Sequence, residues 1–564
     1  MTNKFAEVLS RNAPRAFSLV ASFAVLCSPF LISKAGWGQN ANAWPPPATP
    51  RDQNIELAMK IKQPFTLVAV GDMLQMLPIS KSNDPDVQFL LNLMRGADMT
   101  DANNENTVVN TTTFTGRISH METPAVVADD WANMGIKMMT KANNHTFDDG
   151  DEGVWDDFKE LDRVGIVHVG VGRNMTEARL ARYYSTPKGI VGLVGVYANN
   201  INPSQLNGSP RGAAVIVTSE QLTELRAMRD SIVARRNEVG NPIVVPPPDP
   251  DGETSVFGLT FKVAPASGDA NTAKAASASG EANTASEGVP ARNLGTITSK
   301  ANTLGLVTYN GVTSAQMAQL RAIAGDQGTN DGDTLSAFGV NFRVTPGPGE
   351  YHYDMDQQDE RDILREVRTG KQFSDFEVAT IHWHQNRFAF QHYSFDHYPA
   401  DFEIKFAHDC IDQGADAFIG HGVHTIKGVE IYKGKPIFYG VSNFVMQQQI
   451  FASWRDRGSE PPTPLTGPIV GQGQVNEVQW SWMQRPDNFE GLLASMHYEN
   501  GRLTEVRIYP VDEGLTPRPG SQLGIPRKPS PEIAQQILGQ VVEYSKPFGT
   551  KIEVENGVGV IRIP

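Results

Sequence analysis

The apolar positions of this chain gather into short continuous runs, and many of the runs stop at a residue able to bind a ligand. Phe65–Val70 stops at Gly71-Asp72, and Met134–Thr140 leads into Ala142-Asn143-Asn144-His145. Phe376–Ile381 is followed by His382-Trp383-His384, Ala415–Gly420 by His421-Gly-Val-His424, and Ile437–Phe444 carries Ser442 and Asn443. Gly189–Tyr197 is a further run of the same kind. Runs of this length, apolar without alternation, predict strands buried on both faces. Helices are expected at Asp86–Arg95, at Val154–Val164 and at Ala400–Gln413, the last stopped by Gly414. Strands alternating with helices predict an α/β fold. Asn-Gly pairs at Asn500-Gly501 and Asn556-Gly557 predict hairpins near the end, with a helix at Pro531–Tyr544 between them.

Residues 206–375 depart from this pattern and contain a repeat. Thr218–Ala227 matches Thr313–Ala322, and Ser255–Pro265 matches Ser336–Pro346. Each copy reads as a helix followed by a strand. Phe257/Leu259/Phe261 and Phe338/Val340/Phe342 alternate with Gly or polar residues, which gives each strand one buried face. Between the copies, 266–293 is rich in Ala, Ser, Gly and Asn and reads as a flexible linker. Two copies are too few for a solenoid. A small duplicated insert is expected, its copies sharing a core through paired strands, and dispensable for any metal site. The expected organisation is an export signal at 1–43, a proline-rich leader at 44–63, and a core in two parts at 64–205 and 376–512. The insert separates those parts, and a C-terminal helix and hairpin occupy 513–564.

Composition narrows the function classes. The formal charge is −14, which argues against a nucleic-acid binder. Lys4, Arg11 and Arg15 precede an apolar stretch, and Ala41-Asn-Ala43 forms a cleavage site, so the chain is expected to be exported. Removing 1–43 deletes four basic residues and one acidic one, leaving the remainder more acidic still. Only Cys410 would remain, so any metal site must use His, Asp, Glu and Asn.

In α/β folds, sites form at the carboxyl ends of strands. Asp72, Asn144, His145, His382, His384, His421, His424 and Asn443 can therefore converge although they span most of the sequence. Such a donor set suits divalent Zn, Mn or Fe, and a site of this kind holds two ions roughly 4 Å apart. His120 and Glu122, spaced by two, share one face of an extended segment.

The stretches Val68–Leu74, His120–Pro124, Ala142–His145 with Asp148-Asp-Gly150, and His382-Trp383 resemble those of the bacterial capsule synthesis protein CapA group, which serves poly-gamma-glutamate biosynthesis. Gly414-Ala-Asp416, Gly420–His424 and Tyr432–Ile437 through Ser442–Phe444 extend the resemblance. The family's fold is that of the calcineurin-like metallophosphoesterases. The resemblance implies an α/β/β/α sandwich of that type, carrying the duplicated helix–strand insert. It implies metal ligands at Asp72, Asn144, His145, His421 and His424, and acid or base roles at His382 and Glu122. His384, His120 and Asn443 are additional candidates. The chain departs from the family pattern at His120, where the family has Asn two before the glutamate, and at His384 and Asn386 after the His-Trp pair. Two functions of different class follow. One is a metal-dependent hydrolase of phosphoesters or gamma-glutamyl amides, acting in synthesis or release of an extracellular anionic polymer. The other is a non-catalytic polymer-binding or assembly subunit, which would need Arg117, Arg173, Arg387 and Lys427 gathered at the pocket. Expected partners are the anionic polymer or its precursor and capsule-synthesis membrane proteins, at a periplasmic or other extracytoplasmic, membrane-associated location.

Overall fold

The computed structural model describes residues 52–117, 119, 121–200, 214–238, 249–263, 297–388, 396–447, 486–516 and 522–563. The export signal 1–43, residues 44–51 of the leader, the linker 266–293 and His120 lie outside the described residues. Among the described residues no helix is long and apolar enough to cross a membrane.

Two large sheets form the core. The first has nine strands, with Phe65–Leu74 at its centre between Glu490–Glu499 and Met99–Asn103. Met138–Thr140 and Val167–Val169 continue it on one side, and the C-terminal hairpin strands continue it on the other. The second has eleven strands. Its parallel centre runs Thr303–Val312, Gly189–Asn200, Phe376–His382, Ala417–His421 and Lys435–Phe438.

Alternation along Phe65–Val70 sets the layers. Phe65, Leu67 and Ala69 point between the sheets and meet Phe376, Val378 and Ile419. Val68 and Val70 point outward onto Leu90, Leu91, Met94, Trp131 and Leu161. These belong to the helices Pro85–Gly96, Val126–Met134 and Gly150–Val164. On the far side, Val194, Val196 and Ile381 pack under Ile363, Val367, Phe402 and Phe406 of the helices Gln357–Phe373 and Asp401–Gln413. Three apolar layers separate four structural ones, giving an α/β/β/α sandwich. Burying each such Leu, Val or Phe contributes roughly 1.5–3 kcal/mol.

The run Ile437–Phe444 is not one strand. Lys435–Phe438 pairs with Phe418-Ile419 in the second sheet, whereas Asn443–Met446 pairs with Asp72–Leu74 in the first. The chain crosses between sheets at Ser442, whose φ is +63°. A continuous apolar run hides such a crossing, because both ends are equally buried.

The span 206–375 does not fold entirely apart from the core. Lys300-Ala301 pairs with Val171-Gly172, and Thr303–Leu306 pairs with Tyr197–Asn200. Helix Gln357–Phe373 covers the second sheet. The repeat itself is strand, helix and hairpin. Val215–Val217 runs parallel to Phe261–Val263, as Asn310–Val312 does to Phe342–Val344. Both helices open with reciprocal caps, Thr218 with Gln221 and Thr313 with Gln316. The copies share one core containing Leu225, Ile232, Leu320 and Phe342. The hairpin strands of the two copies do not pair with each other. Instead the rings interlock reciprocally, Phe257 with Phe342 at 5.0 Å and Phe261 with Phe338 at 6.0 Å.

Candidate metal centre

The strand ends converge at one edge of the sandwich. Asp72 is fully buried in Phe65–Leu74. The neighbouring Gly71 allows the crossing segment to press against this strand, since a Cβ there would lie 1.7 Å from the Ser442 carbonyl oxygen. The Asp72 N–H donates to that carbonyl at 3.2 Å. Asn103 Nδ2 donates to Asp72 Oδ1 at 2.8 Å, and the Gly422 N–H donates to Oδ2 at 3.1 Å. His382 and His421 are register partners on adjacent parallel strands. Their Nδ1 atoms lie 3.1 Å apart, and 3.9 and 3.5 Å from Asp72 Oδ1. Gly422, with φ +107°, lets its backbone lie against the His382 ring, where a Cβ would sit 2.8 Å away.

A second group adjoins the first. Glu105 Oε1 is ringed by His145 Nε2 at 3.9 Å, His382 Nε2 at 3.8 Å and His424 Nε2 at 3.9 Å. His384 Nε2 lies 3.0 Å from His382 Nε2, and Asn144 Oδ1 lies 2.8 Å from that same nitrogen. Two sets of ligating atoms result, Asp72–His382–His421 and Glu105–His384–His424, each set within 4.8 Å of one another. The other ring nitrogens have partners of their own: Thr380 Oγ1 is 2.8 Å from His421 Nε2, and Asn443 Oδ1 is 2.7 Å from His424 Nδ1, which also lies 3.5 Å from Asp72 Oδ2. Such partners set the tautomer and aim the free nitrogen inward.

These residues fit a divalent cation. Both carboxylate oxygens of Glu105 are buried without a hydrogen-bond partner, a costly state for a polar group with no cation beside it. Burial pushes Asp72 up to about 7, pushes Glu105 well above the carboxylate range with help from the Asp72 charge, and pushes His421 down to about 3. A bound dication favours the deprotonated form of all three.

The other expected residues fall as follows. His145 is half-buried, with Nδ1 held by Asp148 Oδ2 at 2.7 Å, and it stands at the rim of the Glu105 group. Asn443 braces His424. Glu122 is buried in a short ladder opposite Thr107, and it belongs to neither ligating set. Glu105, two residues after Asn103, was the glutamate that the sequence reading missed. Its signal was present, because Asn103-Asn104-Glu105 carries the Asn-x-Glu spacing that His120–Glu122 lacks.

Of the four cations named for polymer binding, three are engaged by carboxylates of the chain itself and Arg117 by backbone next to His145. Arg173 pairs with Glu177, Arg387 with Glu350 and Lys427 with buried Glu403. Arg117 donates to the carbonyls of Phe147 and Asp148.

With this geometry in place, the kinship of the chain is clear. The model of the bacterial capsule synthesis protein PGA_cap family matches residues 66–246 and 261–448, and the chain belongs to that family. It is 27% identical over 536 residues to the uncharacterized protein y4sH of Sinorhizobium fredii, covering 90% of this chain and 95% of that one. It is 33% identical over 82 residues to the PGA biosynthesis protein CapA of Bacillus subtilis, 14% of this chain and 20% of that one. A crystal structure of a hypothetical protein from Thermus thermophilus aligns with 79% of this chain and 99% of its own, at 10% identity and a TM-score of 0.32.

Proposed function

From that family membership, we propose that the chain is an exported metal-dependent hydrolase with a metallophosphoesterase-type centre. It would act on a phosphoester or gamma-glutamyl amide in synthesis or release of an extracellular anionic polymer such as poly-gamma-glutamate. The observation that carries this reading is Glu105, a buried carboxylate with no hydrogen-bond partner of its own, ringed by imidazole nitrogens.

Asp72, His382 and His421 would hold one ion, and Glu105, His384 and His424 a second, with Asn144 beside His382. The chemistry such ions supply is Lewis-acid polarisation of a phosphoryl or acyl oxygen and a hydroxide nucleophile near neutral pH. His145 is assigned to proton transfer rather than ligation. Asp148 holds its Nδ1, so Nε2 faces the Glu105 group at the rim and can give a proton to a leaving group. Thr380 and Asn443 keep His421 and His424 aimed. The pairing of Arg173, Arg387 and Lys427 with their own carboxylates favours this reading over a binding-only subunit, because an acidic polymer would lack their free charge at the pocket.

Elemental analysis of purified protein should find two divalent ions per chain. Those ions should stimulate hydrolysis of bis-p-nitrophenyl phosphate or of a gamma-glutamyl anilide. Protein without metal, inert toward both after reloading, would overturn the proposal.

A further inference from the structure

The duplicated insert supplies none of the atoms in the two ligating sets. It nevertheless reaches the loop that carries His384. Thr303 lies level with Tyr197 and, through it, with His382. The strand then continues past Leu306, which is level with Asn200 of the core strand, to Val312. Six further residues rise about 20 Å beyond the carboxyl edge of the sheet. The insert is therefore mounted on the same edge as the ligands.

From there the contacts run back to the centre. Arg236, in the last turn of the first-copy helix Ser219–Glu238, is buried, and its Nε donates to the Gly349 carbonyl at 2.9 Å. Its guanidinium stands 5.5 Å from the centroid of the Tyr351 ring. The segment it holds is also tied to the second copy, since Gly349 N–H donates to Gly311 O and Gly311 N–H to Glu350 O, at 3.0 and 2.7 Å. The next residues grip the loop after His384. Tyr351 N–H donates to Arg387 O at 2.7 Å, Tyr353 Oη donates to Asn386 O at 2.7 Å, and Glu350 pairs with Arg387 at 3.3 Å. Asn386 and Arg387 are two and three residues beyond His384. By contrast, the hydrogen bonds of Asp72 and His421 go to Asn103, Gly422, Ser442, Thr380 and His382, all in the core, and His382 meets His384 through Nε2, its backbone being held in the ladder and its Nδ1 facing Asn103 and His421.

We propose that Arg236 and Tyr353 are positioning residues through which the insert sets His384, and with it the Glu105–His384–His424 site, while the Asp72–His382–His421 site is independent of the insert. This rests on the two-ion reading above, and it replaces the expectation that the insert is dispensable for metal.

The test is metal stoichiometry and affinity, by elemental analysis and competition with a chromophoric chelator, on the full chain with Zn²⁺ and Mn²⁺. Arg236→Met keeps the apolar stem and removes the guanidinium. Tyr353→Phe removes one hydroxyl and keeps the ring. Each should weaken one of two ions by roughly 10–100-fold, the usual effect of losing a group that orients a ligand. The other ion should stay within about twofold, and Arg236→Lys should restore part of the loss. A fall in thermal stability with both affinities unchanged would mark the residues as merely structural and overturn the inference. So would equal weakening of both ions. A wild-type chain that binds no metal would instead overturn the two-ion reading, which the wild-type count alone decides. Because Tyr353→Phe is nearly isosteric, a failure of Arg236→Met to fold leaves the test intact.

Discussion

Asp72, His382 and His421 stand on strands, while Glu105, His384 and His424 stand two or three residues past the ends of theirs. The difference runs through every property of the two groups. The strand-borne set is bound into the ladders, with His382 and His421 in register and Asp72 opposite both Asn103 and Asn443. The loop-borne set contains the orphaned Glu105 and the strained His424, whose φ is +55°. A ladder fixes a ligand through backbone pairing that exists with or without an ion. A loop must be fixed by partners that can be lost one at a time. The strand-borne set is accordingly preorganised, and the loop-borne set is the adjustable half of the centre.

The largest effect should come from the residue that joins the halves. His382 faces Asp72 and His421 with Nδ1, and Glu105, His384 and Asn144 with Nε2. On the two-ion reading, His382→Ala should remove the Asp72–His382–His421 ion, weaken the other by withdrawing the ring against which His384 and Asn144 lie, and lower metal-stimulated turnover by roughly a thousandfold or more. Retention of the first ion at wild-type affinity would show that His382 is not among its ligands. Glu105→Gln should cost less: one ion lost, the other kept, with turnover down about a hundredfold. Burial holds the Glu105 carboxyl well above the carboxylate range, so metal-free wild type must take up a proton on folding near neutral pH, and the metal-free variant, which needs none, should be more heat-stable. A lower melting temperature in chelator would show that the imidazoles around Glu105 compensate its burial without a cation.

The orienting residues sharpen the comparison further. Thr380→Val removes the hydroxyl beside His421, and Asn443→Ala removes the amide oxygen beside His424. Rings held in a ladder should tolerate the loss better. The expected weakening is about tenfold for Thr380→Val and about a hundredfold for Asn443→Ala, the two ends of the usual range. The reverse order would show that preorganisation does not divide as the strand boundaries do.

How far these features are legible in sequence follows the same division. Asp72, His382 and His421 end apolar runs, so local pattern alone marks them. Glu105 follows Met99-Thr-Asp-Ala-Asn103, a strand with two polar residues inside it, which reads as a loop. Its Asn-x-Glu spacing is visible locally, but its burial comes from the sheets and helices around it and is not. Glu122 is the opposite case: its setting of Glu-Thr-Pro matches a family block, while the structure pairs it with Thr107 and leaves it out of both ligating sets. The crossing at Ser442 needs a left-handed backbone at a residue that gives no sign of it. In the insert the repeat was plain, since both copies keep the cap residues and the Phe-Gly turns. That the second copy is built onto the main sheet depends on Thr303–Leu306 meeting a strand about a hundred residues earlier, and sequence spacing does not encode that partner.

The smallest effect expected lies under the strand-borne set. Asp101 is buried in Met99–Asn103, opposite Ala69 and Met138, and one of its oxygens has no partner. Burial pushes its carboxyl up to about 8, and the Ala102 N–H offsets this only in part. In the unfolded chain the same group titrates near ~3.9. The folded state therefore holds a proton that the unfolded state has released between about pH 4 and pH 8. The neutral acid contributes its stability fully below the unfolded value, and that contribution is lost as pH rises through the folded one. Across this window the slope is at most about 1.4 kcal/mol per pH unit. Asp101→Asn removes the proton and keeps the shape. In chelator, the stability difference between wild type and variant should move toward the variant by roughly 1 kcal/mol per unit from pH 5 to pH 8, read from denaturant midpoints. If the ladder rather than this carboxyl holds Asn103 and Asp72 in place, the Asp72–His382–His421 ion should keep its affinity within about twofold in the same variant. A larger loss would show that the strand-borne half also depends on side chains beneath it, and the contrast between the two halves would fail.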